Sequence, residues 1–370
     1  MLNLKYLSIV ICLSVVQVTL ARAQAGAPSS EPLKLVQTIP MPDDPVGPYT
    51  DHMAVDVEGN RIFASTQAQH AVSVFDLKTG KLLHAIPVDN PHAMVYRRDI
   101  NRLFIVDGGA GLVRILDGSD YHQVGSVKLL LDADSMGYDP DSKMMYVVNG
   151  GEGAKLPYCL LSAVNTTTGT HVRDVKFPTE IPEPLEQMAL EKHSPRLYLN
   201  NADSHQVAVV DRVKLTVIAQ WPIQEYAGLA PVEDAEHHAY VRKNVAIALD
   251  EAHHRLFVGA RFAEEKSLMV VFDTQSGKEV TNLPMGGWVD EMAFDPASSR
   301  IYAACGKEPG GGGAAYVFKE IDPDRYQLLG KVATALMAKT ATLVPSLKRY
   351  YVSVPHFQND GAKILVHAVQ

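Results

Sequence analysis

Seven times along the chain an aromatic residue follows a small or aliphatic strand position by ten residues. The aromatics are Phe63, Phe104, Tyr146, Tyr198, Phe257, Tyr302 and Tyr351; their partners are Met53, Met94, Met136, Met188, Ile247, Met292 and Ala341. Arg61, Arg102, Arg196, Arg255, Arg300 and Arg349 stand two residues before their aromatics, with Met144 in the remaining place. Short apolar runs flank each pair and end in turn-forming segments such as Asp56-Val-Glu-Gly-Asn-Arg61 and Asp76-Leu-Lys-Thr-Gly80. A period of about 40–50 residues built from short strands predicts an all-β chain, a seven-bladed β-propeller, because one four-stranded blade cannot bury both faces without neighbours.

In the first repeat the pattern predicts strands at 52–57, 61–65, 71–76 and 81–88. The seventh repeat supplies only three, near 336–344, 349–354 and 363–369, and lacks an outer strand. The segment at 35–41, Leu-Val-Gln-Thr-Ile-Pro-Met, matches the outer strands at 83–88 and 218–223. The ring is therefore expected to close by the N-terminal strand joining the last blade, which also covers an edge that would otherwise invite aggregation. The repeated Met slot also holds Ile247 and Ala341, so it reads as a core position between blades rather than a copper site.

Residues 1–25 carry one Lys, an apolar run from Tyr6 to Leu20 and Ala-Arg-Ala-Gln-Ala, the pattern of a cleaved secretory signal peptide. Residues 26–32 read as a short tether and 33–370 as a single domain, exported to a periplasm or secreted, with no membrane span in the mature chain. Loss of the leader removes Lys5 and Arg22 and moves the formal charge from −8 to −10, which disfavours nucleic acid as a partner. Cys159 and Cys305 fall in the third and sixth repeats, too far apart around a ring to be bridged, and read as buried thiols.

Arg196-Leu-Tyr-Leu-Asn-Asn-Ala-Asp-Ser-His-Gln-Val-Ala-Val-Val-Asp211, Arg102-Leu-Phe-Ile-Val-Asp107 and Met145-Tyr-Val-Val-Asn149 resemble the YVTN repeat of YncE-like seven-bladed propellers of bacterial envelopes. The resemblance covers nearly the whole mature chain. It implies the architecture and leaves the activity open, since such propellers include binding proteins, lactonase-like and lyase-like enzymes and quinoprotein dehydrogenase subunits. The site must be argued from its own residues.

Irregular sequence collects in the loops of one face, including 42–51, 179–186, 224–243, 149–158, 259–266, 305–314 and 354–361, the usual place for a ligand. Just before the repeated Met slot come Asp51-His52, His92, Asp134-Ser135, Glu186-Gln187, Asn244-Val245, Asp290-Glu291 and Lys339-Thr340. His52, His92, Asp134, Glu186, Asp290 and Glu291 are thus expected to converge at one channel mouth. They could hold a divalent cation through oxygen and nitrogen ligands, bind a polar small molecule, or line a hydrated channel whose charge Lys339 neutralises. His237 and His238, in a long acidic loop, could form a lid over the mouth. His70, His205 and His356 fall in loops of the same face; His253 and His254 read as surface residues of the opposite face.

No Cys-x-x-Cys-His, His-Glu-x-x-His or Gly-x-Ser-x-Gly segment occurs, which removes covalent haem and the commonest zinc-protease and serine-hydrolase signatures. Two functions follow as expectations. One is an exported scaffold that recognises a small molecule, peptide or partner protein; the other is a metal-assisted lactonase or lyase at the channel mouth, with catalytic residues unassigned.

Overall fold

The computed structural model describes residues 31–41, 45–47, 49–151, 153–178, 185–202, 204–229 and 242–370. His237, His238 and the expected leader lie outside them. The described chain forms seven separate four-stranded antiparallel sheets. Blade 1 comprises Met53–Asp56, Arg61–Thr66, Ala71–Asp76 and Leu82–Pro87, in that order across the sheet. The first strands of blades 2 to 7 are Pro91–Arg97, Met136–Asp139, Leu185–Leu190, Asn244–Asp250, Gly287–Asp295 and Thr340–Val344. Each touches the first strand of the next blade, and that of blade 7 touches that of blade 1, so the array closes as a seven-bladed propeller.

Closure uses the N-terminal strand. Leu33–Pro40 pairs antiparallel with Lys363–Val369, Leu33 opposite Val369 and Pro40 opposite Lys363, as the outer strand of blade 7. The strand expected near 336–344 is shorter, starting at Thr340, because Met337 adopts φ 62° and the Lys339 N–H closes a tight turn on the Met337 carbonyl at 2.9 Å.

The repeated aromatic positions are all buried, and each apolar cluster they help to build spans two adjacent blades. Met53 packs between blades 7 and 1, Met94 between 1 and 2, Ile247 between 4 and 5, Met292 between 5 and 6, and Ala341 between 6 and 7. Met136 and Met188 line the remaining two junctions from partly buried positions. The slot is therefore packing, as a position shared by Met, Ile and Ala requires.

Several repeated arginines tie neighbouring blades. Arg61 donates to the Gly118 carbonyl of blade 2 at 2.6 Å, and Arg196 to the Thr274 carbonyl of blade 5 at 2.6 Å. Arg255 donates to the Pro323 carbonyl of blade 6 at 2.8 Å. Where Met144 breaks the pattern, Arg212 of blade 4 reaches back to Asp139 of blade 3 at 2.5 Å.

Candidate functional site

The first strands begin at one face of the ring, and several begin with a bulge. The register slips between Pro91 and Met94, Leu185 and Met188, Asn244 and Ala246, and Val289 and Glu291. An extra residue re-aims side chains out of the regular alternation. The residues within those slips include His92, Glu186, Gln187 and Asp290, and all four line a central cavity of about 560 Å³. Asp51, His52, Asp134, Lys243, Arg261 and Lys339 line it too, so every blade contributes. Of the six residues expected to converge, His52, His92, Asp134, Glu186 and Asp290 line the cavity. Glu291 stands behind it and accepts from His52 Nδ1 at 2.9 Å.

The mouth divides into two electrostatic halves. In one, the Lys243 ammonium meets Glu186 at 2.6 Å, and Asp290 is held between the Arg261 guanidinium and Lys339 Nζ, the latter at 2.8 Å. The Arg261 side chain is only 2% exposed and also donates to the Val289 carbonyl at 2.9 Å. Its guanidinium lies 5.0 Å from the centroid of the Trp288 ring, and Lys339 Nζ lies 5.9 Å from the same ring. Burial raises the cost of ionising Asp290, but Lys339 and Arg261 outweigh it and hold the carboxyl below its ordinary range. Glu186 and Asp290, both expected as cation ligands, are thus engaged by permanent cations of the chain itself.

The other half has carboxylates facing imidazoles. His92 Nδ1 lies 2.6 Å from Asp51 Oδ2 and 2.9 Å from Asp134 Oδ1, and Asn90 approaches His92 Nε2 at 2.8 Å. The Gln67 amide donates to Asp51 Oδ2 at 3.2 Å. Burial disfavours the charged form of His52, yet Asp51 and Glu291 prevail and push it up to about 10. His92 is likewise raised well above its ordinary value, by Asp134 and Asp51 against burial. Burial opposes ionisation of Asp51 too, but His52, His92 and Lys339 keep it far below the usual carboxylate range. Glu291 moves upward through burial and the charges of Asp290 and Asp51, partly offset by His52. Both imidazoles therefore carry charge at neutral pH. Three carboxylates and two imidazolium groups on this side face two carboxylates and three permanent cations on the other.

The backbone holds this arrangement tightly. A Cβ on Gly108 would come within 2.9 Å of His92 Nε2 and 2.8 Å of the Ala133 carbonyl, so only glycine lets the imidazole sit where it does. Trp288 and Met337, which pack against each other, both adopt left-handed backbone, at φ 52° and 62°. Such conformations are uncommon for large side chains and concentrate at functional sites.

His70 also lines the cavity, whereas His205 packs at a tilt on Tyr226, ring centroids 4.6 Å apart, with Nε2 3.2 Å from the Arg242 carbonyl. Arg261, Lys243, Gln67, Asn90 and Trp288 were not anticipated. The strand Arg255–Ala263 runs three residues past its six-residue counterparts Arg61–Thr66 and Arg102–Asp107 and delivers Arg261 to the mouth, a departure from the repeat that leaves no periodic signal in the sequence. Lys243 sits one residue before the position that was read, at the start of the first strand of blade 5.

No protein-family model and no curated protein matches the sequence. Among solved structures, the chain is similar to one from Kuenenia stuttgartiensis hydrazine synthase, with a TM-score of 0.66 and 16% identity over 87% of this chain and 97% of that one. It is also similar to a chain of a mitotic checkpoint complex, with a TM-score of 0.68 and 12% identity over 96% of this chain and 99% of the other. The WD40 repeats of RRP9 give a TM-score of 0.68 and 9% identity over 90% and 97%. At these identities the likeness shows the propeller fold. Among the described residues no helix is long and apolar enough to cross a membrane.

Proposed function

We propose that the chain is an exported binding scaffold of the YVTN-repeat kind that takes a small polar molecule, or the polar end of a peptide, at its channel mouth. The observation that carries this reading is the cavity of about 560 Å³, within the usual size of small-molecule sites, to which all seven blades bring polar side chains. Its two halves favour a dipolar occupant. An anionic group would sit toward Lys243, Arg261 and Lys339, and a cationic or donor group toward Asp51 and Asp134. Trp288 and Met337 supply an apolar wall beside the cationic half, where Arg261 and Lys339 lie over the Trp288 ring.

A thermal-shift screen of amino acids, short peptides, dicarboxylates and polyamines tests it. Dipolar compounds are expected to raise the melting temperature of the wild type and not of Lys339→Ala. A screen in which all four classes leave the wild type unchanged counts against a small polar ligand and leaves a partner protein on the same face.

A second reading is a divalent cation at the mouth, which lactonase or lyase chemistry would need; one feature favours the cation alone: Asp51 Oδ2 and Asp134 Oδ1 both approach His92 Nδ1, close enough for the three atoms to share one ion. This ligand set replaces the wider one expected from sequence, since Glu186 and Asp290 already pair with chain cations. Calorimetric titration with calcium, zinc and manganese, wild type against Asp51→Asn/Asp134→Asn, decides it: heat lost in the variant supports the cation, and identical traces exclude it. Export through the leader at 1–25 belongs to the same proposal; N-terminal sequencing of the mature protein is expected to begin near residue 26.

A further inference from the structure

A second cluster lies at the other end of blade 5. Asp250 ends the strand Asn244–Asp250, which starts directly after the mouth residue Lys243; six residue steps along a strand separate its two ends by roughly 20 Å. The turn that follows carries His253, and Glu320 reaches the same point from Gly313–Asp322 of blade 6. His253 Nδ1 lies 2.6 Å from Asp250 Oδ2 and 3.7 Å from Glu320 Oε2. The Asp250 carboxylate is held in place by its other oxygen, which accepts from the Ala252 N–H at 3.1 Å and the His253 N–H at 3.4 Å.

Glu320 is the anomaly. It is 3% exposed, and its Oε2 has no hydrogen-bond partner. Its Oε1 has only a 3.4 Å contact with the Tyr326 hydroxyl, whose single proton is directed to the Pro323 carbonyl at 2.7 Å. A buried carboxylate whose nearest donors stand at 3.4 Å and 3.7 Å is costly unless something neutralises it. The neighbouring carboxylate of Asp250 makes matters worse, and one imidazole cannot balance two negative charges. His253 is half exposed, so the cluster is open to solvent on that side.

We propose that Asp250, His253 and Glu320 form a binding site for a divalent transition cation of the zinc or manganese class, which clamps blade 5 to blade 6. Two carboxylate oxygens and one imidazole nitrogen suit such ions. Tetrahedral coordination at about 2.1 Å puts neighbouring ligand atoms about 3.4 Å apart. The observed 2.6 Å and 3.7 Å separations bracket that value, and all three atoms lie within 4.8 Å of one another. A divalent ion with neutral imidazole balances both carboxylates, and water completes the shell from the exposed side. The rival neutraliser is a proton shared by Asp250 and Glu320.

The test is calorimetric titration of the full mature chain with zinc and with manganese, alongside cobalt absorption, which reports directly on imidazole and carboxylate ligation. Four proteins are compared: wild type, His253→Ala, Glu320→Gln and the mouth variant Asp51→Asn/Asp134→Asn. The expected result is a site whose affinity falls about tenfold or more in His253→Ala and Glu320→Gln but survives in the mouth variant. The metal is also expected to raise the melting temperature of the wild type and not of His253→Ala. Because His253 is on the surface, its variant keeps the test valid if Glu320→Gln folds poorly. Binding that is unchanged in His253→Ala, or no binding in the wild type at micromolar metal, overturns the proposal and leaves the shared proton.

Discussion

Deleting residues 31–40 removes the outer strand of blade 7, and the structure sets the size of the effect. Leu33 and Ile39 are fully buried, and burying a large aliphatic side chain contributes about 1.5–3 kcal/mol. Removing the strand also uncovers Ile364 and Val366, now 0% and 2% exposed, so a similar amount is lost again. The total is on the order of 6–12 kcal/mol, comparable with the net stability of a typical domain. The edge of Lys363–Val369 would be left unpaired and open to a second chain. Urea unfolding followed by Trp221 and Trp288 fluorescence, with size-exclusion chromatography of the same samples, is expected to show a collapsed midpoint and association. Ile39→Ala alone is expected to cost about 2–5 kcal/mol, and a synthetic peptide of residues 31–40 to restore part of the deleted protein's stability. A deletion that keeps both the wild-type midpoint and monomeric elution refutes the closure argument.

Arg261→Met leaves the buried Asp290 with Lys339 alone and is expected to lower stability by about 3–5 kcal/mol, partly recovered by adding Asp290→Asn, as read by urea denaturation. Burial and the adjacent Glu225 raise Glu279 from 4.5 to about 7, so the folded state binds this proton more tightly than the unfolded chain. The stabilisation it gives is complete below pH 4.5 and lost as pH rises through about 7; Glu279→Gln is expected to flatten that part of the stability–pH curve. Cys159 and Cys305 are 3% and 0% exposed in different blades, and burial with the Glu308 charge raises the Cys305 thiol. Both are expected to resist alkylation in the native protein and to be labelled without reductant after denaturation, as mass spectrometry can show.

The architecture was legible because propeller blades repeat: a slot filled by Met, Ile or Ala ten residues before an aromatic marks the junction between blades whatever its exact side chain. The closing strand was legible for the same reason, since Leu33–Pro40 copies outer strands elsewhere. Convergence of His52, His92, Asp134, Glu186 and Asp290 followed from their common place before that slot. What stayed hidden departs from the repeat. Arg261 reaches the mouth on a strand that overshoots its counterparts, and Trp288 lines it from a left-handed backbone position, and neither leaves a periodic trace. The missing cations changed the electrostatic reading, from carboxylates in need of an outside ion to a mouth half compensated by the chain. The Asp250, His253 and Glu320 cluster was hidden differently, since Asp250 and His253, neighbours on one turn, meet Glu320 only across the junction of blades 5 and 6.

The most direct test of the account is calorimetric titration of the best compound from the dipolar screen against wild type, His92→Ala, Lys339→Ala and the outer-rim variant Val213→Asp. His92 and Lys339 come from blades 2 and 7, on the two electrostatic halves of one cavity, whereas Val213 is 82% exposed in a turn away from it. The account predicts one site per chain, weakened about tenfold or more by either mouth substitution and untouched at the rim, since a charged contact removed from a desolvated site costs on the order of 1.5–3 kcal/mol. Wild-type affinity in both mouth variants, or loss confined to Val213→Asp, contradicts it.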